Sequence, residues 1–357
     1  MKKMFLAASM GVAITLAPVP GISCLPQCQT ALAAPQTEKM EVVRGCALSP
    51  GDTIGVLAPA SNTDVDELKN AVRYLEKLGY KVKLAPSCKA QYGYFAGTDS
   101  QRAADLNHFF ADDEVKAILC LRGGYGSSRV LDKLDYEAIR QHPKQFIGYS
   151  DVTALHIALG EKSRLSTVHG PMLTSFEDNT SQKAFTREIF AKGVSGSLYP
   201  GEIPLPAGKS LQAISAGRAE GPVIGGNLTI VQSLIGTPYE LQGEGAILFL
   251  EDVGEATYGI DRALQQLWQS GLLSRVNGVV VGDFTGADDD YEEGDFRLDE
   301  VLAYYARLSG KPWLKGVPAG HDKDNIYLPF GVRAVMEAHE DGTASLCINE
   351  IPVSRQE

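Results

Sequence analysis

The stretch Phe146-Ile147-Gly148-Tyr149-Ser150-Asp151-Val152 decides how this chain is read. Apolar residues run up to Gly148 in a strand pattern, and a helical pattern opens at Asp151. Ser150 therefore falls at a sharp turn between strand and helix. Such a turn displays a hydroxyl and leaves helix-opening N–H groups free to hold an oxyanion. The match to the nucleophile pattern G-x-S-x-G is only half complete, because Val152 replaces the second glycine. The competing reading is a serine that caps a helix.

Around this turn, strand and helix patterns alternate. Ile54 to Ala58 is an apolar run ending at Pro59, and Lys81 to Leu84 alternates as a strand. Between them, Asp64 is placed to cap a helix with Val65, Leu68, Val72 and Leu75 at helical spacing. Ser100 to Asp112 reads as a helix, Val115 to Leu121 as a buried strand and Ser127 to Arg140 as helical. The helix Val152 to Leu159 and a strand Leu165 to Val168 follow Ser150. Repeated β–α–β units with buried strands make an α/β fold, a parallel sheet covered on both faces. Ligands of such sheets bind at the carboxyl ends of strands, where Ser150 lies.

After about residue 175 the pattern changes. A helix is expected from Thr180 to Lys192, and Gly193 to Gly226 is rich in Gly, Pro, Ser and Ala with little periodicity. Past it come a strand Ala246 to Glu251, a helix with Ile260, Leu264, Leu267 and Trp268 on one face, and a strand Gly278 to Gly282. Val332 to Val353 reads as strands about a Gly342 turn. The expected organisation is a leader at 1–33, a first domain at 45–175 carrying Ser150, a linker at 176–220 and a second domain at 221–355.

The leader is read from Lys2 and Lys3, an uncharged apolar run from Met4 to Ala17, and the A-x-A site Ala31-Leu32-Ala33. It predicts export, with Gly21-Ile22-Ser23-Cys24 as a poorer lipid-anchor alternative. Past it remain Cys46, Cys88, Cys120 and Cys347, whose pairing the sequence leaves open; Cys120 lies in an apolar run that suits a buried free thiol. The 357 residues carry a net charge of −11 with no block of Lys or Arg, which argues against a nucleic-acid partner.

Arg122-Gly123-Gly124-Tyr125-Gly126 follows a buried strand directly, so its backbone can approach a ligand. The dinucleotide fingerprint fails there because Arg129 replaces the third glycine. The alternatives are a tight turn or an oxyanion donor that complements the N–H of Asp151. Of six histidines, His169 and His321 stand at loop positions fit for a general base, and the pattern does not choose between them. His108, His142, His156 and His339 read as ordinary surface or core residues. Glu251 ends an apolar strand and is placed to orient an imidazole, with Asp252 and Glu255 as competitors. From Asp289, Gly294 and Glu300 fall at EF-hand positions six and twelve, but Tyr291 occupies the third, so a solvated acidic loop is expected. No metal site and no cofactor are expected.

The set Ile54 to Ser61, Leu121 to Gly126, Gly148 to Asp151, His169-Gly170-Pro171, Gly225 to Leu228, Leu250 to Asp252 and Gly320-His321 resembles the serine LD-carboxypeptidases, with the related microcin-immunity peptidases. The resemblance spans about Leu48 to Val353. It implies a Rossmann-like parallel-sheet N-terminal domain, a smaller β-rich C-terminal domain and a homodimer. It implies a triad of Ser150, Glu251 and His321, an oxyanion hole from Gly124 and Asp151, and cleft roles for Arg122 and Asn227, with His169 structural or in the pocket. It implies release of D-alanine from peptidoglycan tetrapeptides. The alternatives are a microcin-type peptide–nucleotide substrate on the same triad, or an exported wall-peptide binding protein without turnover. The third stem residue, lysine or diaminopimelate, is left open.

Overall fold

The computed structural model describes residues 41–63, 68–177 and 184–355. The expected leader, Cys24, the helix start at Asp64 and Val65 and the one at Thr180 lie outside the described residues.

The first half builds β1 (Thr53–Leu57), α1 (Lys69–Lys77), β2 (Lys81–Leu84), α2 (Asp99–Ala111), β3 (Val115–Cys120), α3 (Tyr136–Gln141), β4 (Gln145–Gly148), α4 (Thr153–Ala158), β5 (Thr167–His169) and α5 (Ala184–Val194). These five strands pair in parallel, side by side as β5-β4-β3-β1-β2. Local chemistry sets the ends of the helices. Thr98 and Gln101 close a reciprocal capping box at the start of α2, with bonds of 2.9 and 3.3 Å. The helix expected over 127–140 is divided: Ser127–Lys133 is a 3₁₀ segment, and α3 starts anew where Asp135 Oδ1 accepts the Ala138 N–H at 3.0 Å. A capping aspartate inside a helical pattern restarts the chain.

The second half adds β6 (Gly201–Glu202), β7 (Gln212–Ser215), β8 (Gly217–Asn227), α6 (Leu228–Ser233), β9 (Ile247–Val253), α7 (Thr257–Gln269), α8 (Leu272–Arg275), β10 (Gly278–Thr285), α9 (Leu298–Ser309), β11 (Trp313–Lys315), β12 (Leu328–Phe330), β13 (Arg333–Ala338) and β14 (Ala344–Ile348). Eight strands form the second sheet, in the order β6-β14-β13-β8-β9-β10-β11-β7, parallel across β8–β11 and antiparallel at both flanks. The remaining strand, β12, returns to the first sheet and pairs antiparallel with β5.

The stretch 176–220, expected as a linker, holds α5, β6, β7 and the start of β8. Just past it, glycines of β8 that read as breakers are required: a Cβ at Gly221 or Gly225 would collide with the carbonyl of Gly245 or Phe249 in the adjacent segment. Two apolar clusters each join the halves of the chain: one holds Leu57, Phe146 and Val152 with Leu248, Leu264 and Trp313, the other Ile54, Leu119 and Ile147 with Phe249, Val280 and Leu314. All four described cysteines are free, and Cys120 is fully buried, which pushes its thiol pKa well up.

Candidate active site

Ser150 follows β4 at φ 64°, a left-handed conformation that Arg164 alone shares among the described non-glycine residues. The strand–turn–helix geometry of the sequence is thereby realised with stored strain. The loop after β3 closes on the same point. A Cβ on Gly123 would sit 3.0 Å from Ser150 Cβ, 3.1 Å from its Oγ and 3.4 Å from the Asp151 N–H nitrogen. Only a glycine backbone lets the peptide leading into Gly124 approach the hydroxyl this closely. Gly124 has φ 103°, and a side chain there would run into Ser61 Oγ. Ser61, after β1, accepts the Tyr125 N–H at 3.1 Å and donates its own N–H to Gly123 O at 3.3 Å. Arg122 Nη1 donates to Asn62 O at 3.3 Å. Loops from the carboxyl ends of β1 and β3 are thus bonded into one unit that packs against Ser150.

The Asp151 side chain turns away from solvent. Its Oδ2 accepts the Ser127 N–H at 2.8 Å, and burial raises its carboxyl pKa. The carboxyl is thus held inside and does not reach the serine turn's solvent side.

The second sheet supplies the acid and the imidazole. Glu251 lies in β9 and is fully buried; its Oε2 accepts the His321 Nδ1–H at 2.8 Å. Burial pushes the Glu251 carboxyl up, with the His321 contact opposing and Asp252 adding to the rise. With Nδ1 donating, His321 keeps Nε2 as an acceptor. Gly320 makes this approach possible: its φ is 143°, and a Cβ would stand 3.0 Å from Glu251 Oε2 and 3.1 Å from Asp283 Cβ. Tyr149, the residue before Ser150, meets His321 edge-on with ring centroids 5.0 Å apart. Tyr149 and His321 also line a cavity of about 190 Å³ with Ser175, Thr186 and Asn325.

Asn227 stands opposite Glu251 in the β8–β9 register. Its Nδ2 donates to Asp252 Oδ1 at 2.9 Å, and its backbone N–H donates to Thr153 Oγ1 at 2.9 Å. Thr153 opens α4, three residues after Ser150, so this bond ties the acid-bearing sheet to the serine turn. Asp252 is engaged by Asn227 and Thr229, and does not compete with Glu251 for the imidazole. His169 is wholly buried among Tyr149, Phe249 and Phe330, with neither ring nitrogen hydrogen-bonded. Burial holds its pKa well below the ordinary value, so the ring is neutral and backs Tyr149 from inside. In the acidic loop, Asp288 Oδ1 accepts from Thr257 Oγ1 at 3.0 Å and from the Leu298 N–H at 2.9 Å, which binds α9 to α7.

Ser61, Gly123 and Thr153 were not singled out from the sequence. Ser61 and Gly123 stood inside quoted motifs, and only their contacts show their part. Thr153 sits in a plain helical pattern and carries no signal at all.

Two family models match in series: an LD-carboxypeptidase N-terminal domain over residues 54–170 and an LD-carboxypeptidase C-terminal domain over residues 220–336. The chain belongs to the LD-carboxypeptidase family. A probable murein peptide carboxypeptidase of Bacillus subtilis (strain 168) is 41% identical over 298 residues, covering 82% of this chain and 91% of that one. An MccF-like protein from Bacillus anthracis str. Ames matches with a TM-score of 0.77 at 28% identity, covering 86% of this chain and 99% of that one. A muramoyltetrapeptide carboxypeptidase from Oxalobacter formigenes matches with a TM-score of 0.73 at 28% identity, covering 84% and 100%. This LD-carboxypeptidase is a serine-type hydrolase with the two-sheet α/β arrangement of its structural relatives.

Proposed function

We propose that the enzyme removes the terminal D-alanine from peptidoglycan-derived tetrapeptides by the triad Ser150–His321–Glu251. The observation that carries the reading is the 2.8 Å bond from His321 to the buried Glu251, on the same side of the molecule as the strained Ser150 turn that Tyr149 links to the imidazole. His321 Nε2 takes the proton of Ser150 Oγ as it attacks the carbonyl of the L,D-peptide bond. The oxyanion is held by the N–H groups of Gly124 and Asp151, each such donor worth roughly 3 kcal/mol of barrier. His321 hands the proton to the amine of D-alanine, which leaves. It then takes a proton from the water that attacks the acyl-serine and returns it to Ser150 Oγ as the shortened peptide leaves. Glu251 keeps the imidazole in its working tautomer and stabilises the imidazolium. Arg122 and Asn227 line the cleft.

The test is purified protein with a defined tetrapeptide, followed by mass spectrometry for the loss of one alanine, with Ser150→Ala as control. An acyl-sulfamoyl nucleotide run in parallel separates the microcin-type alternative. An intact tetrapeptide refutes the reading. The same reading includes export, supported by the leader-like residues 1–33, and a homodimer. N-terminal sequencing of the natural protein and light scattering test these two, and an intact Met1 or a monomer refutes the corresponding part.

A further inference from the structure

Beside the serine site stands a group of tyrosines that the reaction does not use. Residues 92–95 fold back on themselves through two backbone bonds, Tyr92 N to Phe95 O at 2.9 Å and Phe95 N to Tyr92 O at 3.0 Å. Phe95 also bridges to Ser61, which holds the loop of Gly124 and Tyr125. The result is a surface on which Tyr92 is 62%, Tyr94 61% and Tyr125 47% exposed. Tyr94 lies 4.4 Å from Phe95 and 6.0 Å from Tyr125 between ring centroids, and Phe95 lies 5.7 Å from Tyr125. Large exposed aromatic groups placed together mark binding surfaces.

Two guanidiniums brace the Phe95 ring of the platform. The Arg102 and Arg129 guanidiniums lie 4.9 and 5.1 Å from the Phe95 ring, and Asp99 pairs with both. Arg102 is fully buried and donates to Pro59 O and Gly126 O, so it pins the loops after β1 and β3 from below. Both terminal nitrogens of this buried guanidinium are engaged, Nη1 by the two carbonyls and Nη2 by Asp99, while Nε has no partner among the described residues. Here it fixes the platform to the serine site.

A set of phenol faces with hydroxyl edges, flanked by the half-exposed Arg129 paired with Asp99, matches a pyranose ring, which offers a C–H face for stacking and hydroxyl and acetamido groups for hydrogen bonds. The reach also fits. Tyr125 is two residues from Gly123, which touches Ser150. Three stem residues separate the scissile carbonyl from the sugar of a muramoyl tetrapeptide, about 10 Å of extended chain. We propose that Tyr92, Tyr94 and Tyr125 form a subsite for the N-acetylmuramyl ring of the substrate, so that the enzyme reads glycan and peptide together. The proposal rests on the peptidoglycan-peptide reading above and adds a second point of recognition.

The experiment is calorimetry on the Ser150→Ala protein with free tetrapeptide and with N-acetylmuramyl tetrapeptide. The sugar should tighten binding about fivefold, the scale of one aromatic contact. Adding Tyr92→Ala and Tyr94→Ala should bring the ratio of the two affinities near one, while Tyr94→Phe keeps it, because the face rather than the hydroxyl does the stacking. A ratio near one in the parent protein, or a ratio that survives the double substitution, overturns the subsite. So does a change of oligomeric state in the double variant, which would make the platform a contact between two copies of the chain. Turnover of free tetrapeptide by the unaltered enzyme is measured alongside. Its absence refutes the carboxypeptidase reading whatever the sugar does, and its presence with sugar-blind binding refutes the subsite alone.

Discussion

Ser150 holds its backbone at φ 64°, where an L-residue carries about 1–2 kcal/mol of strain. Ser150→Gly and Ser150→Ala both remove the hydroxyl, and only glycine relieves the strain. Both are expected to be inactive, with the glycine variant more stable than the alanine one by about 1 kcal/mol in urea melts. Members of a triad act as a unit, so His321→Ala should match Ser150→Ala in lost kcat, and the double variant should be hardly worse. Glu251→Gln should cost less, because it orients the imidazole and carries no proton. His169 sits in an aromatic cage without a polar partner. His169→Phe should therefore leave kcat within about tenfold and stability near that of the parent, since an apolar isostere leaves no polar group unpaired. If His169→Phe abolishes turnover and His321→Ala does not, the roles assigned here are reversed. At this scale the serine was legible because the change from strand to helix period is local. The choice between His169 and His321 was not legible from the pattern. The hydrogen bond of His321 to Glu251 joins residues 70 apart, and the cage of His169 includes Phe249 and Phe330 from the second half of the chain.

Elements carry these side chains into place through very close backbone approaches. At Gly225, φ is 120° and a Cβ would strike Phe249 O, in the strand that holds Glu251. Gly225→Ala should thus lower stability by about 2 kcal/mol or more, through both strain and collision, and reduce activity by moving β9. Thr153→Val tests the tie between sheets in a milder way. It leaves the Asn227 N–H without its partner, a cost of about 1–3 kcal/mol for a buried donor. The readouts are denaturant melts and kcat/KM, and a variant indistinguishable from the parent in both would show that the bond carries nothing. The strands of the first sheet were legible because their residues are apolar and β-branched and the helices between them periodic. The long strand β8 was not, since Gly217, Gly221, Pro222, Gly225 and Gly226 look like punctuation. Gly221 and Gly225 are required by backbone that passes very near, and Gly226 by the Thr153 side chain against it. The helix α9 was not legible either, since its buried Val301, Leu302, Tyr305 and Ala306 follow directly on an acidic run with the composition of a solvated loop.

Across the whole molecule, stability and pH are linked through Asp283, which borders the Glu251–Gly320 contact. Burial first, then Asp322 and Glu251, raise its pKa to about 7 from an ordinary 3.8. A carboxyl raised in this way adds stability that is complete below its unfolded pKa and is lost as pH climbs through about 7. Asp283→Asn removes the ionisation, so its melting temperature relative to the parent should increase from pH 5 to pH 8; a difference independent of pH would place the charge elsewhere. The fold class could be read from the order of strands and helices, but the way the two sheets are joined could not. β12 lies at residues 328–330, late in the chain, yet it closes the edge of β5 in a sheet whose other members end at residue 169. During synthesis, the early strands therefore leave the ribosome more than a hundred residues before the segment that seals them. The serine turn, one strand in from that edge, cannot reach its finished surroundings until almost the entire polypeptide has been made. Truncation anywhere before residue 328 should accordingly yield an aggregation-prone fragment rather than a half-enzyme.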